Sequence, residues 1–245
     1  MTAIEATAKS WNELLNMPKV FKDEVMLIAT AEGLTCKEVD SEHVCMISML
    51  IKPEYFTRYE CDKETSIYID ATKVLGIMKM FTPTQLVTWQ VDHNKLVITS
   101  GVSIKVNIPL IEPSCYHMPK VPKLTQYAMY EMDMGQLYKL VTIMDRSGTF
   151  DTVEFTGTDD SLTVSCVDDM FSIERTFESR ITATRSEFGK IVSSQIPIGY
   201  FLKRCKYIKG TVFIKLDDDF PITVMKDDDK MHVEVFIAPH VEHGD

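Results

Sequence analysis

Apolar residues along this chain recur at two spacings, and the alternation between them sets out its elements. Short continuous or alternating runs predict strands: Thr2–Glu5, Val25–Ala29, Leu34–Val39, Val44–Leu50, Ser66–Ile69, Leu86–Val91, Lys95–Ser100 and Ser103–Leu110. Spacings of three and four predict two helices within the same stretch. The first carries Trp11, Leu14 and Leu15 behind the N-cap candidate Thr7 and is limited by Pro18. The second spans Thr72 to Phe81, is capped by Asp70, and turns Val74, Ile77, Met78 and Phe81 inward.

At Ile111–Lys123 both periods stop. Pro113, Pro119 and Pro122 fix φ and remove backbone donors, so this stretch predicts an extended strap. Beyond it the pattern resumes. Strands are expected at Ala128–Met132, Thr152–Phe155, Ser161–Val167, Phe171–Phe177, Thr211–Leu216, Ile222–Lys226 and Met231–Ile237. Helices are expected at Met134–Met144, with Leu137, Leu140, Val141 and Met144 inward, and at Gly199–Ile208, with Leu202, Cys205 and Ile208 inward.

The second half repeats the first. The hairpin turning at Glu32-Gly33 is answered by the one turning at Asp159-Asp160, and the helix at 72–81 by the one at 199–208, an offset of about 127 residues. The expected organisation is an N-terminal domain at 1–110, a connector at 111–124 and a C-terminal domain at 125–245. The expected class is α+β, two similar domains each with two helices on antiparallel sheets.

Composition narrows the function. A hydrophobic share of 45% with 25% charged residues is that of a globular chain. No apolar run is long enough to span a membrane and the N-terminus lacks a secretory pattern, so a soluble, unexported protein is expected. Cys36, Cys45, Cys61, Cys115, Cys166 and Cys205 stand singly, which predicts reduced thiols. The net charge of −10 argues against nucleic acid unless the positive charge is segregated on one surface.

Catalytic motifs are missing. Phosphate-binding glycine loops, G-x-S-x-G and H-E-x-x-H do not occur, so no enzyme, cofactor or metal is expected. Asp217–Asp219 and Asp227–Asp229 flank a strand and predict hairpin turns. His240 and His243 are spaced like a metal pair but lie at the end of the chain.

Five stretches carry a specific resemblance. Glu32-Gly33-Leu34 is followed by Val39-Asp40-Ser41-Glu42-His43-Val44, then by Tyr55-Phe56-Thr57-Arg58-Tyr59-Glu60-Cys61-Asp62. Asn107-Ile108-Pro109-Leu110-Ile111 precedes the strap, and Phe236-Ile237-Ala238-Pro239-His240-Val241 closes the chain. In order and spacing these resemble the DNA sliding clamps of archaea and eukaryotes, the proliferating cell nuclear antigen family, with an archaeal cast. His240 departs from the basic residue of the family's closing motif.

The resemblance implies a ring of three copies around duplex DNA, serving as a polymerase processivity factor. It also implies tethering of DNA polymerase, flap endonuclease, DNA ligase and clamp loader by short peptides, in the cytoplasm of an archaeon or the nucleus of a eukaryote. Lys9, Lys79, Lys139, Arg146, Lys203, Lys206 and Lys209 would face DNA, with Lys73 and Arg204 as further candidates. Asn12, Glu13 and Gly76 stand where related clamps carry lysines.

A docking pocket would be walled by Val39, His43, Val44, Met46, Met118, Val121, Phe220, Pro221, Ile237, Ala238 and Pro239, several of which would serve equally as core. Copies would meet through Lys105, Asn107, Phe171, Ile173 and Arg175, with Lys105 opposite Glu174 or Glu178. Two alternatives stay open: a clamp-fold scaffold that does not encircle DNA, and one subunit of a heterotrimeric ring.

Overall fold

The computed structural model describes residues 2–101, 104–113, 116–126, 128–179 and 189–240. Ser103, Cys115 and His243 lie outside them. By internal contacts the chain forms two units, Met1–Val121 with Asp227–Val233, and Pro122–Lys226 with Glu234–Asp245. Neither unit is one unbroken stretch. The turn of the last hairpin belongs to the first unit, where Lys52 gives its backbone N–H to the Lys230 carbonyl and its Nζ to the Asp228 carbonyl.

In the first unit the chain runs β1 (Thr2–Thr7), α1 (Ala8–Lys19), β2 (Glu24–Thr30), β3 (Gly33–Val39), β4 (Cys45–Ile51), β5 (Arg58–Cys61), β6 (Thr65–Asp70), α2 (Ala71–Met78), β7 (Leu86–Asp92), β8 (Lys95–Ser100) and β9 (Ile104–Pro109). These strands lie in the orders β5-β1-β7-β8-β9 and β4-β3-β2-β6. The second unit runs β10 (Ala128–Asp133), α3 (Met134–Arg146), β11 (Thr152–Gly157), β12 (Ser161–Val167), β13 (Ser172–Glu178), β14 (Val192–Pro197), α4 (Ile198–Arg204), β15 (Thr211–Leu216), β16 (Ile222–Asp227) and β17 (Met231–Ile237). Its orders are β10-β15-β16-β17 and β13-β12-β11-β14. The two lists match element for element except for β5. The architecture is α+β, with every registered strand pair antiparallel.

Helices α1, α2 and α3 begin where the sequence supplies an acceptor. Thr7 Oγ1 accepts the Ser10 N–H, Asp70 the Lys73 N–H and Asp133 the Gln136 N–H, so each satisfies one orphan donor of its first turn. Pro197 precedes α4 and offers no side-chain cap. Alternation along β14 buries Val192, Ser194 and Ile196. Burying a Val, Leu or Ile side chain stabilises a fold by roughly 1.5–3 kcal/mol, enough to hold such a strand despite its polar residues.

In the first unit α1 packs on α2 and drives Trp11 into the core, stacked on Trp89 with ring centroids 3.9 Å apart. The Trp11 indole N–H finds the Val87 carbonyl. Gly33 has φ +136, and a Cβ there would strike the carbonyl oxygen of Ile51, so the first hairpin requires glycine. In the second unit α3 packs on α4, and the Tyr138 hydroxyl donates to the Leu202 carbonyl at 3.0 Å.

Several expectations shift. α2 ends at Met78, and Phe81 follows in a turn closed onto the Met78 carbonyl. α4 ends at Arg204, although one further turn, Ile208 N–H to the Cys205 carbonyl, keeps Ile208 inward. Leu202 is half-buried and not a core position. β5 and β14 appear where no strand was expected, and the expected 171–177 strand runs instead from Ser172 to Glu178.

Candidate functional site

The four helices concentrate positive charge. With the residues that close their C-termini (α1, α2 through Lys79, α3, and 198–210) they carry ten Lys and Arg against two carboxylates, Glu13 and Asp145. The rest of the chain is left with sixteen positive and thirty-four negative side chains. A protein of net charge −10 therefore presents a basic set of helices on an acidic remainder.

The exposed positions follow helical spacing. On α3 they include Gln136, Lys139, Ile143 and Arg146, a single stripe at intervals of three and four. Around α4 Gly199, Lys203, Lys206 and Lys209 are exposed. The bond between Tyr138 and Leu202 places the residues beside them, Lys139 and Lys203, on two helices in contact. In the first unit Lys9 opens α1 and Lys79 closes α2. The Lys9 N–H donates to the Pro83 carbonyl, which brings the start of α1 to the loop that follows α2.

Among the described residues Lys9, Lys79, Lys139, Arg146, Lys203 and Lys206 make no ion pair, so their charge is available to a polyanion. Lys73 differs. It lies 3.1 Å from Asp70, whose carboxyl is held below its ordinary range first by the Lys73 backbone N–H and also by the Lys73 ammonium. Arg204 differs more: it is 5% exposed, with its guanidinium over the Tyr200 ring at 5.9 Å, and belongs to the packed side of α4.

The expected docking residues fall into two groups, one in each unit. In the first, Val39 closes β3 opposite Met46 on β4, and His43 sits exposed in the turn between them at φ +58. Asp40 accepts the Val44 and Cys45 N–H groups, which fixes that turn. Met118 and Val121 lie on the strap, Met118 exposed and Val121 half-exposed.

In the second unit β14 holds the other group together. Ser193 O accepts the Asp219 N–H, Ser194 Oγ donates to the Phe220 carbonyl, and Gln195 O accepts the His240 N–H. Three successive residues thus align Phe220-Pro221 with Ala238-Pro239. Phe220 is exposed, and Pro221, Ala238 and Pro239 are half-exposed. Met46 and Ile237, at 7% and 0% exposure, are core residues that back the surface without forming it.

Two sheet edges stand open within their own units, β9 at the end of one order and β13 at the end of another. Lys105 and Asn107 are exposed on β9; on β13 Arg175 is exposed and Ile173 half-buried. Arg175 already donates to Gln136 Oε1 at 2.7 Å and lies over the Phe177 ring at 4.6 Å. Phe171 precedes β13, packs edge-on against Phe150 and belongs to an exposed apolar group with Val167 and Met170.

The aspartate runs form turns. Asp219 takes φ +48, and Asp228 accepts the Lys230 and Met231 N–H groups. Among the described residues no group of three His, Cys, Asp or Glu is placed to hold a metal, and the described cysteines are free thiols. No helix among them is long and apolar enough to cross a membrane.

Residue pattern missed β14 and its Ser193–Gln195 clamp, because a strand with serines at two of six positions has a weak apolar signal. The inward alternation of Val192 and Ile196 was the available clue. It also missed what Tyr116 does. This strap residue reaches the Lys37 carbonyl and the buried Glu38 carboxyl with its hydroxyl.

Comparison with known proteins gives a consistent result. Residues 7–107 match the model of the family described as proliferating cell nuclear antigen, N-terminal domain. The DNA polymerase sliding clamp of Thermoplasma acidophilum is 22% identical over 226 residues, covering 91% of this chain and 90% of that protein. Those of Archaeoglobus fulgidus and Methanothermobacter thermautotrophicus are 25% identical over 217 residues and 26% over 226. They cover 86% and 90% of this chain, and 86% and 89% of their own lengths. Among solved structures, A. fulgidus PCNA bound to the C-terminal region of FEN-1 superposes with a TM-score of 0.89 at 23% identity over all of both chains. PCNA from Thermococcus kodakaraensis gives 0.85 at 17% identity, over 98% of this chain and 100% of that one. These superpositions establish a shared fold.

Proposed function

We propose that this chain, which belongs to the proliferating cell nuclear antigen family of DNA sliding clamps, is a polymerase processivity factor that closes as a ring of three around duplex DNA. The observation that carries this reading is the segregation of charge: ten basic side chains against two carboxylates on the helices of a chain whose net charge is −10. Phosphate contacts supply affinity without reading sequence, which suits a protein that must slide. Lys9, Lys79, Lys139, Arg146, Lys203, Lys206 and Lys209 form the DNA-facing set. The acidic remainder repels DNA from every other surface.

Ring closure uses a heterologous contact in which the β9 edge of one copy meets the β13 edge of the next, extending a sheet across the boundary. Lys105, Asn107, Ile173 and Arg175 line those edges, and Phe171 with its apolar neighbours covers one end. Two groups of residues are the candidates for receiving short peptides from DNA polymerase, flap endonuclease, ligase or clamp loader: Val39, His43, Val44, Met118 and Val121 in the first unit, and Phe220, Pro221, Ala238 and Pro239 in the second. A methionine on such a surface adapts to differing anchors. The protein acts by tethering, in the cytoplasm if the cell is archaeal and in the nucleus if it is eukaryotic.

Sedimentation equilibrium without DNA tests the ring. The expected mass is three times the 28.0 kDa chain, and a monomer at every concentration would overturn the closed homotrimer in favour of a scaffold or a mixed ring.

A further inference from the structure

We propose that Tyr116 and Glu38 form a latch that positions the strap for peptide docking, so that Tyr116 acts as a positioning residue without touching the peptide. The inference rests on the docking reading above and adds what holds the strap in register. The chain leaves β9 with the Leu110 N–H on the Asn94 carbonyl and the Ile111 N–H on the Tyr68 carbonyl. Beyond these backbone bonds the Tyr116 side chain anchors it to β3.

The half-buried Tyr116 ring is met from three directions. Its hydroxyl lies 2.9 Å from the Lys37 carbonyl and 3.2 Å from Glu38 Oε1, both on β3. Its face lies 5.4 Å from the Tyr68 ring on β6, and Lys22, from the turn after α1, sits 6.0 Å from its centroid. Glu38 is 1% exposed, and the same Oε1 accepts the Met26 N–H from β2 at 3.0 Å. A buried acceptor held by backbone cannot retreat, so it marks one position for the tyrosine hydroxyl. Met118 follows two residues later, within about 7 Å along an extended chain, so fixing Tyr116 fixes where Met118 falls. Holding the strap in place before the peptide arrives removes part of the ordering cost of binding.

The test compares Tyr116→Phe, Tyr116→Ala, Glu38→Leu and Glu38→Gln in the full-length protein. Two readouts are used: hydrogen exchange of the amides of 111–123, and the anisotropy of a labelled peptide from the C-terminal region of A. fulgidus FEN-1. Tyr116→Phe is expected to speed strap exchange at least fivefold and to raise the peptide Kd three- to tenfold, while melting temperature and DNA affinity hold. Glu38→Leu should speed strap exchange and weaken the peptide in the same way, with a fall in melting temperature because the buried Met26 N–H loses its acceptor. Glu38→Gln keeps the accepting oxygen and should leave strap exchange within twofold of wild type.

Strap exchange within twofold of wild type in both Tyr116 variants overturns the latch, as does acceleration spread evenly over β2, β3 and β6. If the wild-type protein does not bind the peptide at all, the docking reading fails, and the exchange measurement still decides whether the latch exists.

Discussion

Glu38 shows how one residue couples a charge to a fold. Its carboxyl group is almost wholly buried, and burial lifts its pKa above the ordinary glutamate value. The Met26 N–H, Lys22 and the Tyr116 hydroxyl oppose that lift without cancelling it. A carboxyl whose folded pKa is raised contributes stability that is complete below about pH 4.3, the ordinary glutamate pKa, and lost as pH rises through the folded pKa. The melting temperature of Glu38→Gln minus that of wild type should therefore increase between pH 4 and pH 7. Differential scanning fluorimetry across that range checks it, and a flat or falling difference contradicts the burial argument. Tyr116, beside it, is also raised, first by burial and then by the Glu38 charge, so its hydroxyl stays a donor throughout.

At the scale of elements, the helices carry the functional argument and the strands position them. The second helix of each unit closes with an exposed lysine at matching places, Lys79 after α2 and Lys206 after α4. Lys203, however, has Gly76 as its counterpart. A Cβ at Gly76 would meet nothing within 4 Å, so a side chain fits there. Gly76→Lys should stabilise the protein by about 0.5–1 kcal/mol, since glycine is among the poorest helix formers, and should tighten DNA binding. Thermal melts and a DNA titration at fixed salt read both effects.

Removing charge gives the converse. Lys203→Ala with Lys206→Ala should make the slope of log affinity against log salt shallower by about 2, at about 0.9 per lost phosphate contact. An unchanged slope would remove α4 from the DNA-facing surface. Both helix pairs were legible in the residue pattern, the first through caps at Thr7 and Asp70 and the second through inward stripes such as Leu137, Leu140, Val141 and Met144. Helix spacing misplaced Arg204, because its long side chain lies along the packed face with its guanidinium over the Tyr200 ring, and periodicity is blind to such a fold-back.

For the whole molecule the proposed ring turns on closure between copies. Phe171 stands beside the β13 edge, 44% exposed and packed edge-on against Phe150. Phe171→Asp should shift sedimentation from three copies toward one with little change in melting temperature, because the change removes surface apolar area and spares the core. Persistence of the trimer would move the contact away from this edge. The residues assigned to the proposed ring contact and to peptide docking lie on strand edges and turns, and against strands such as β14 whose own pattern is faint.

Local pattern alone established the four helices, the hairpins, the strap and the positive bias of the helices, because each depends on residues within a few positions of one another, and the duplication followed from the recurrence of that pattern about 127 residues later. The fold decided the rest. It separated the six lysines and arginines without ion pairs from Lys73 and Arg204, sent Met46 and Ile237 into the core, and set Tyr116 against Glu38 across 78 positions of chain. Those outcomes depend on which side chains share a dielectric and a partner, and only packing brings such groups together.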